Sequence, residues 1–170
     1  MKDINVQYSE DRVQSYSLLL SQMKALLEGE GDVTANLSNA SALLKEALDH
    51  INWVGFYLMK NGKLLLGPFQ GKVACVHIEV GKGVCGTAVL ENRTQLVTDV
   101  HLFPGHIACD SASSSELVIP LRSRDRVVGV LDIDSPLIGR FDSVDASEIE
   151  KIARVIEEAC DWQGELPAGR

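Results

Sequence analysis

No stretch of this sequence stays apolar long enough to span a bilayer, and the opening "MKDINVQYSEDRVQSY" lacks the apolar core of a secretory leader. The expected compartment is therefore the cytoplasm, with no membrane partner. Positive charge is scarce too: 16 Lys and Arg stand against 24 Asp and Glu, a formal net charge of -8. Such a surface repels phosphate backbones, so nucleic acid is not an expected partner. The four cysteines, Cys75, Cys85, Cys109 and Cys160, include no C-x-x-C and no Cys/His pair at ligand spacing, so no zinc pattern shows. Repeats and low-complexity tracts are absent.

What is present reads as one globular unit. A chain of 170 residues with 45% hydrophobic and 24% charged residues can bury a sizeable core and is short for two domains. A single domain over 1–170 is expected, packed from about residue 5 to 162 and ending in a loose tail, "QGELPAGR".

The first segment, residues 9–32, places Val13, Tyr16, Leu20, Met23 and Leu27 at helical spacing and ends in Gly29 and Gly31. Asp32 is a good N-cap for a second helix that aligns Val33, Leu37, Ala40, Leu44, Ala47 and Leu48. A hairpin follows, its two apolar runs joined by Asn61-Gly62, the strongest short-range signal for a type I′ turn. The alternation in "KVACVHIEV" (72–80) predicts a third strand, and Gly81 and Gly83 turn the chain into a short helix carrying Cys85. "TQLVTDV" predicts a fourth strand; "ELVIPLR" and "VVGVLDIDS" predict two more around the polar turn "SRDR". Asp142 caps a last helix with Val144, Ile149, Ile152, Ile156, Ala159 and Cys160 on one face. Turn-linked strands flanked by helices predict an α+β fold with a central antiparallel sheet.

Two groups of residues carry the chemistry. Cys109 lies in the loop "PGHIACDSASSS", between His106 and Asp110 and near four serines, where a thiol is accessible; an inert loop thiol is the plain alternative. Cys75, mid-strand, and Cys85, on the short helix, each suit a small buried residue. A thiol that becomes a sulfenic acid needs a second thiol to resolve it, so three cysteines in the central third also fit redox chemistry. The other group is acidic. Asp132 and Asp134, two apart on a strand, point to one face with Val130, and Glu116 opens the preceding strand. They either lie at a solvated strand end or are buried, paired and partly protonated. Trp53 and Tyr57, four apart on the first strand, share a face and either belong to the core or wall a pocket.

At this level of detail the chain resembles the free methionine-(R)-sulfoxide reductases, single-domain enzymes with the GAF fold. The blocks that carry the resemblance are "NWVGFYL", "GPFQGKVACVHIEVGKGVCGTAV", "DVHLFPGHIACDSASSSELVIPL", "GVLDIDSP" and "FDSVDASEIEKIA". The resemblance implies reduction of free L-methionine (R)-sulfoxide, with thioredoxin as reductant and no metal or organic cofactor. It matches Cys109 to the nucleophile, Cys75 to its disulfide partner and Cys85 to a third cysteine that takes part in resolving or relaying the disulfide. Glu116, Asp132 and Asp134 match the substrate-binding and polarising acids, and Trp53 and Tyr57 the aromatic wall beside the substrate methyl; Cys160 lies outside the pattern. The serines then give the Cys109 loop freedom to swing between substrate and Cys75. A non-enzymatic GAF sensor of a small molecule or of redox state is the rival reading, and self-association as a homodimer stays open.

Overall fold

The computed structural model describes residues 12–107 and 109–164. The chain runs α1 (Arg12–Leu27), α2 (Val33–Ala47), β1 (Trp53–Lys60), β2 (Lys63–Gln70), β3 (His77–Glu79), α3 (Gly83–Glu91), β4 (Gln95–Val97), β5 (Ser115–Ser123), β6 (Arg126–Ser135) and α4 (Ser143–Ala159). The strands form one six-stranded sheet in the order β3-β2-β1-β6-β5-β4, every neighbouring pair antiparallel. The expected α+β fold with a central antiparallel sheet is thus observed. Among the described residues no helix is long and apolar enough to cross a membrane. Residues 5–11 of the expected packed region and 165–170 of the expected tail lie outside the described residues.

Local chemistry sets the element ends where the sequence places them. Asn61 and Gly62 both take positive φ, 52° and 79°, the left-handed pair that matches a hairpin turn to strand twist. The Asp32 side chain accepts from the Ala35 amide, and Asp142 with Asp145 forms a reciprocal capping box at the start of α4. Three expectations are revised. Only His77–Glu79 of the 72–80 stretch joins the sheet, because the segment before it is drawn off toward other partners described below. The fourth strand stops at Val97, and Val100–Leu102 forms a 3₁₀ turn capped by Asp99. On α1 the buried positions are Tyr16, Leu19, Met23 and Leu27, whereas Val13 is exposed and Leu20 only packs at the margin.

The sheet has two unlike faces. One carries Val54, Phe56, Leu117, Ile119, Leu131 and Ile133, buried under α1, α2 and α4 in the larger core. Tyr16 of α1 donates to the Asp145 carboxylate across 2.6 Å and ties the outer helix to α4. The other face carries Trp53, Tyr57, Val118 and Val130 and is covered by α3, through Val84, Cys85 and Ala88. A single short helix cannot cover a whole sheet face, and the uncovered part is where the polar residues gather.

Gly86 brings α3 close. A Cβ there would lie 2.3 Å from the Glu79 carbonyl oxygen, a backbone atom that cannot turn aside. Gly86→Ala should therefore push α3 off β3 and destabilise the protein by about 1–3 kcal/mol. A lower urea midpoint at unchanged slope would register this, and an unshifted midpoint would contradict the close approach.

Candidate active site

Antiparallel register assembles the acidic residues. Glu116 of β5 lies opposite Asp134 of β6, and Asp132 lies between Val118 on one side and Gly55 of β1 on the other. Trp53 and Tyr57 flank Gly55 on the same face of β1. Without a side chain, Gly55 lets Phe69 approach closely: a Cβ would stand 2.3 Å from that of Phe69. Trp53 stacks on Phe69 with ring centroids 5.2 Å apart and on Tyr57 at 5.9 Å. The result is a pocket lined by Trp53, Tyr57, Cys85, Cys109, Glu116, Asp132 and Asp134, and by His106 and Lys82.

Two irregular segments close the pocket from outside. Trp53 Nε1 donates to the Lys72 carbonyl at 3.1 Å, and the Tyr57 hydroxyl donates to the Cys75 carbonyl at 3.0 Å. These bonds hold residues 72–75 over the pocket, and the chain rejoins β2 at Val76, whose carbonyl accepts from the Leu66 amide. Cys75 therefore lies outside the strand the alternation predicts and is half-buried at the pocket. It forms a disulfide with Cys109, Cα to Cα 5.7 Å, across 34 residues of chain. Cys85 and Cys160 are free and buried, Cys85 in the pocket and Cys160 in the larger core on the opposite face.

The serines after Cys109 are anchors. Ser113 accepts from Asn52 Nδ2 at 3.1 Å, the Ser114 amide donates to the Ser135 carbonyl at 2.7 Å, and Ser115 Oγ donates to the Leu137 carbonyl at 2.6 Å. Asn52 also donates to Asp110 at 3.0 Å. Their role is to fasten the far end of the loop to β6 and the start of β1, in place of the freedom the small side chains imply in the sequence.

Burial decides the protonation of the acids. Glu116 and Asp132 are each 6% exposed, and a carboxyl oxygen of each lies within 4.8 Å of the other's and of Cys85 Sγ. Loss of solvent pushes the Glu116 carboxyl well above its usual range, and the neighbouring Asp132 and Asp134 push it further. Asp134 is raised for the same two reasons. Asp132 is raised by burial to about 6, held back by hydrogen bonds from Glu116 and Cys85. The Cys85 thiol is pushed up by burial and then by the Asp132 and Glu116 charges, so it keeps its proton and donates it to Asp132. At neutral pH this is a cluster that holds at least one proton and surrounds it with negative charge.

The family follows from comparison. A model described as GAF domain matches residues 38–161. The free methionine-R-sulfoxide reductase of Escherichia coli (strain K12) is 50% identical over 147 residues, which is 86% of this chain and 89% of that protein. This chain belongs to the free methionine-R-sulfoxide reductase family of GAF domains. Two solved reductases with bound substrate share its fold. That of Staphylococcus aureus is 56% identical with a TM-score of 0.82, covering 85% of this chain and 94% of its own. That of Neisseria meningitidis is 43% identical with a TM-score of 0.87, covering 91% and 93%.

Seven of the eight residues singled out in the sequence line this reductase-family pocket: Cys85, Cys109, the three acids and the two aromatics. Cys75 is not in its wall and joins it through the disulfide to Cys109. Sequence reasoning assigned nothing to His106, yet its Nε2 stands 3.7 Å from Glu116 Oε2 with the side chain only 16% exposed. Burial, and then the nearby His101, lower its pKa, which favours the neutral imidazole beside a protonated carboxyl. Its position three residues before Cys109 was the available signal, but only folding sets it against β5. Gly83, at φ 61°, likewise lets the start of α3 approach Ile107 of the same loop, where a Cβ would meet the side chain at 3.1 Å.

The raised Asp132 pKa has a stability signature. A carboxyl raised on folding, here from 3.8 to about 6, adds stability below the unfolded value and loses it as pH rises through the folded one. Asp132→Asn removes that titration. Between about pH 4 and pH 7 the stability difference should move in favour of the variant by an amount on the order of 2 kcal/mol. Urea unfolding at stepped pH checks this; a difference that stays flat would mean that Asp132 ionises as freely in the fold as in the unfolded chain.

Proposed function

We propose that this chain reduces free L-methionine (R)-sulfoxide to L-methionine in the pocket described above. The observation that carries the reading is the meeting, at one pocket, of a disulfide that enters its wall through Cys109 with a buried carboxyl cluster in which burial raises the Glu116 pKa. Relatives named for that reaction, similar along most of their length, support it.

A sulfoxide sulfur is a weak electrophile until its oxygen is protonated or strongly hydrogen-bonded. In the reduced protein the Cys109 thiolate attacks that sulfur while Glu116 delivers its proton to the oxygen. The attack forms a bond between the Cys109 sulfur and the substrate sulfur. The substrate sulfur–oxygen bond breaks, a hydroxyl bonds the Cys109 sulfur, and the sulfur–sulfur bond breaks in turn, so that methionine leaves reduced by two electrons and Cys109 is left as a sulfenic acid. Cys75 then attacks the Cys109 sulfur, the hydroxyl leaves as water, and the disulfide forms. A dithiol reductant of the thioredoxin type, in the cytoplasm, reopens it by exchange. Asp132 and Asp134 attract the substrate ammonium, and the Trp53 and Tyr57 rings offer an apolar wall to its methyl group. The favoured resolver is Cys75 over Cys85, because the Cys85 thiol is buried, protonated and committed to Asp132.

Methionine release from each separated sulfoxide epimer, with a thioredoxin system supplying electrons, tests the reading. The (R) epimer of the free amino acid should turn over and the (S) epimer should not. Cys109→Ser should abolish turnover, Cys75→Ser should release about one methionine per chain and then stop, and Glu116→Gln should lower kcat by about 10²-fold or more. No methionine from either epimer would overturn the function. Turnover by Cys109→Ser at the wild-type rate would overturn the nucleophile, and continued cycling by Cys75→Ser through a new disulfide would pass the resolving role to Cys85.

A further inference from the structure

We propose that the pocket floor also binds one borderline-soft divalent cation of the zinc type, through Cys85 Sγ, a Glu116 carboxylate oxygen and an Asp132 carboxylate oxygen. One donor atom from each of these residues lies within 4.8 Å of the others, and all three side chains are buried. They come from α3, β5 and β6, so no spacing in the sequence reveals them.

Two further observations point to a cation. Asp132 Oδ1 is buried and has no hydrogen-bond partner among the described residues, so one oxygen of a 6% exposed carboxyl that lines the pocket is left with its lone pairs unused. The third donor is a sulfur. Recognition of an ammonium or a sulfoxide calls for oxygen and nitrogen groups, and a thiol between two carboxyls adds nothing to it. A thiolate with two carboxylates is instead a donor set for a metal that accepts both sulfur and oxygen, and unsuited to magnesium or calcium, which take all-oxygen shells.

The geometry needs only a small contraction. Tetrahedral zinc with sulfur at about 2.3 Å and oxygen at about 2.0–2.2 Å holds its donors roughly 3.3–3.6 Å apart, so the three must close by about 1 Å. Binding exchanges protons for the cation: the Cys85 thiol proton and those held by the carboxyls pass to solvent, and no electrons move. While occupied, the site withholds Glu116 and Asp132 from any other ligand.

The disulfide-linked protein is the form to test, because Cys75 and Cys109 are then blocked and Cys85 is the pocket's one free thiol. The full chain, stripped of metal, is titrated with Co²⁺ as the probe and then with Zn²⁺. One Co²⁺ per chain should bind with a thiolate-to-cobalt charge-transfer band in the near ultraviolet, and Zn²⁺ should displace it. Cys85→Ser should lose the band and weaken binding at least tenfold. Asp132→Asn, which keeps a polar isostere in the fold, should weaken binding while leaving the thiolate signature at saturation. Cys160→Ser should change neither. Absence of saturable binding, cobalt bound without the thiolate band, or a band that survives Cys85→Ser would each overturn the site. None of these readouts depends on sulfoxide turnover, so failure of the cation site and failure of the reductase reading are separately visible.

Discussion

The register between β5 and β6 is the constraint on which the pocket depends. Pairing Glu116 with Asp134, and Asp132 with Val118, sets three carboxyls on one sheet face with little solvent to separate their charges. A slip of one residue would turn Glu116 into the larger core and bring Leu117 to the pocket. The packing opposes such a slip. Leu117, Ile119, Leu131 and Ile133 are all buried under the outer helices, so the hydrophobic face that stabilises the fold also fixes which face holds the acids. Burying those acids is unfavourable, and retained protons together with the Cys85–Asp132–Glu116 hydrogen bonds are what make it tolerable.

The sulfur side of the pocket rests on a different kind of interaction. Trp53 and Tyr57 are buried for their rings, yet each has a polar atom that must be satisfied, and each spends it on the backbone of the 72–75 segment. Aromatic packing, the departure of that segment from the sheet and the placement of Cys75 beside Cys109 are thus one arrangement. Removing a ring would disturb the disulfide geometry as well as the pocket wall.

Much of this was legible in the residues. The Asn61-Gly62 turn, the Asp32 and Asp142 caps and the shared face of Asp132 and Asp134 follow from local rules that the fold obeys. What failed did so where a distant partner overrode a local pattern. Residues 72–75 alternate like a strand, but two aromatic donors from β1 claim the Lys72 and Cys75 carbonyls. Val13 sits at helical spacing, but α1 packs through Leu19 instead. The serines read as flexible filler and turn out to be fastened to β6 and beyond. Two facts had no local signal: the meeting of Cys85 with Asp132 and Glu116, and the pairing of Cys75 with Cys109. The pairing came through family resemblance, because contacts of this kind form only when separate elements meet.

The two arms of the disulfide are secured by different means. On the Cys75 arm the backbone is held at Cys75 itself, by the bond from Tyr57, and again three residues earlier by Trp53. On the Cys109 arm Asn52 holds the Asp110 and Ser113 side chains just beyond the cysteine, and His106, before it, lies 3.7 Å from Glu116. Breaking the sulfur–sulfur bond therefore leaves the Cys75 arm tethered at its main chain and the residues beside Cys109 tethered through side chains, the kind of tie that a rotamer change can release.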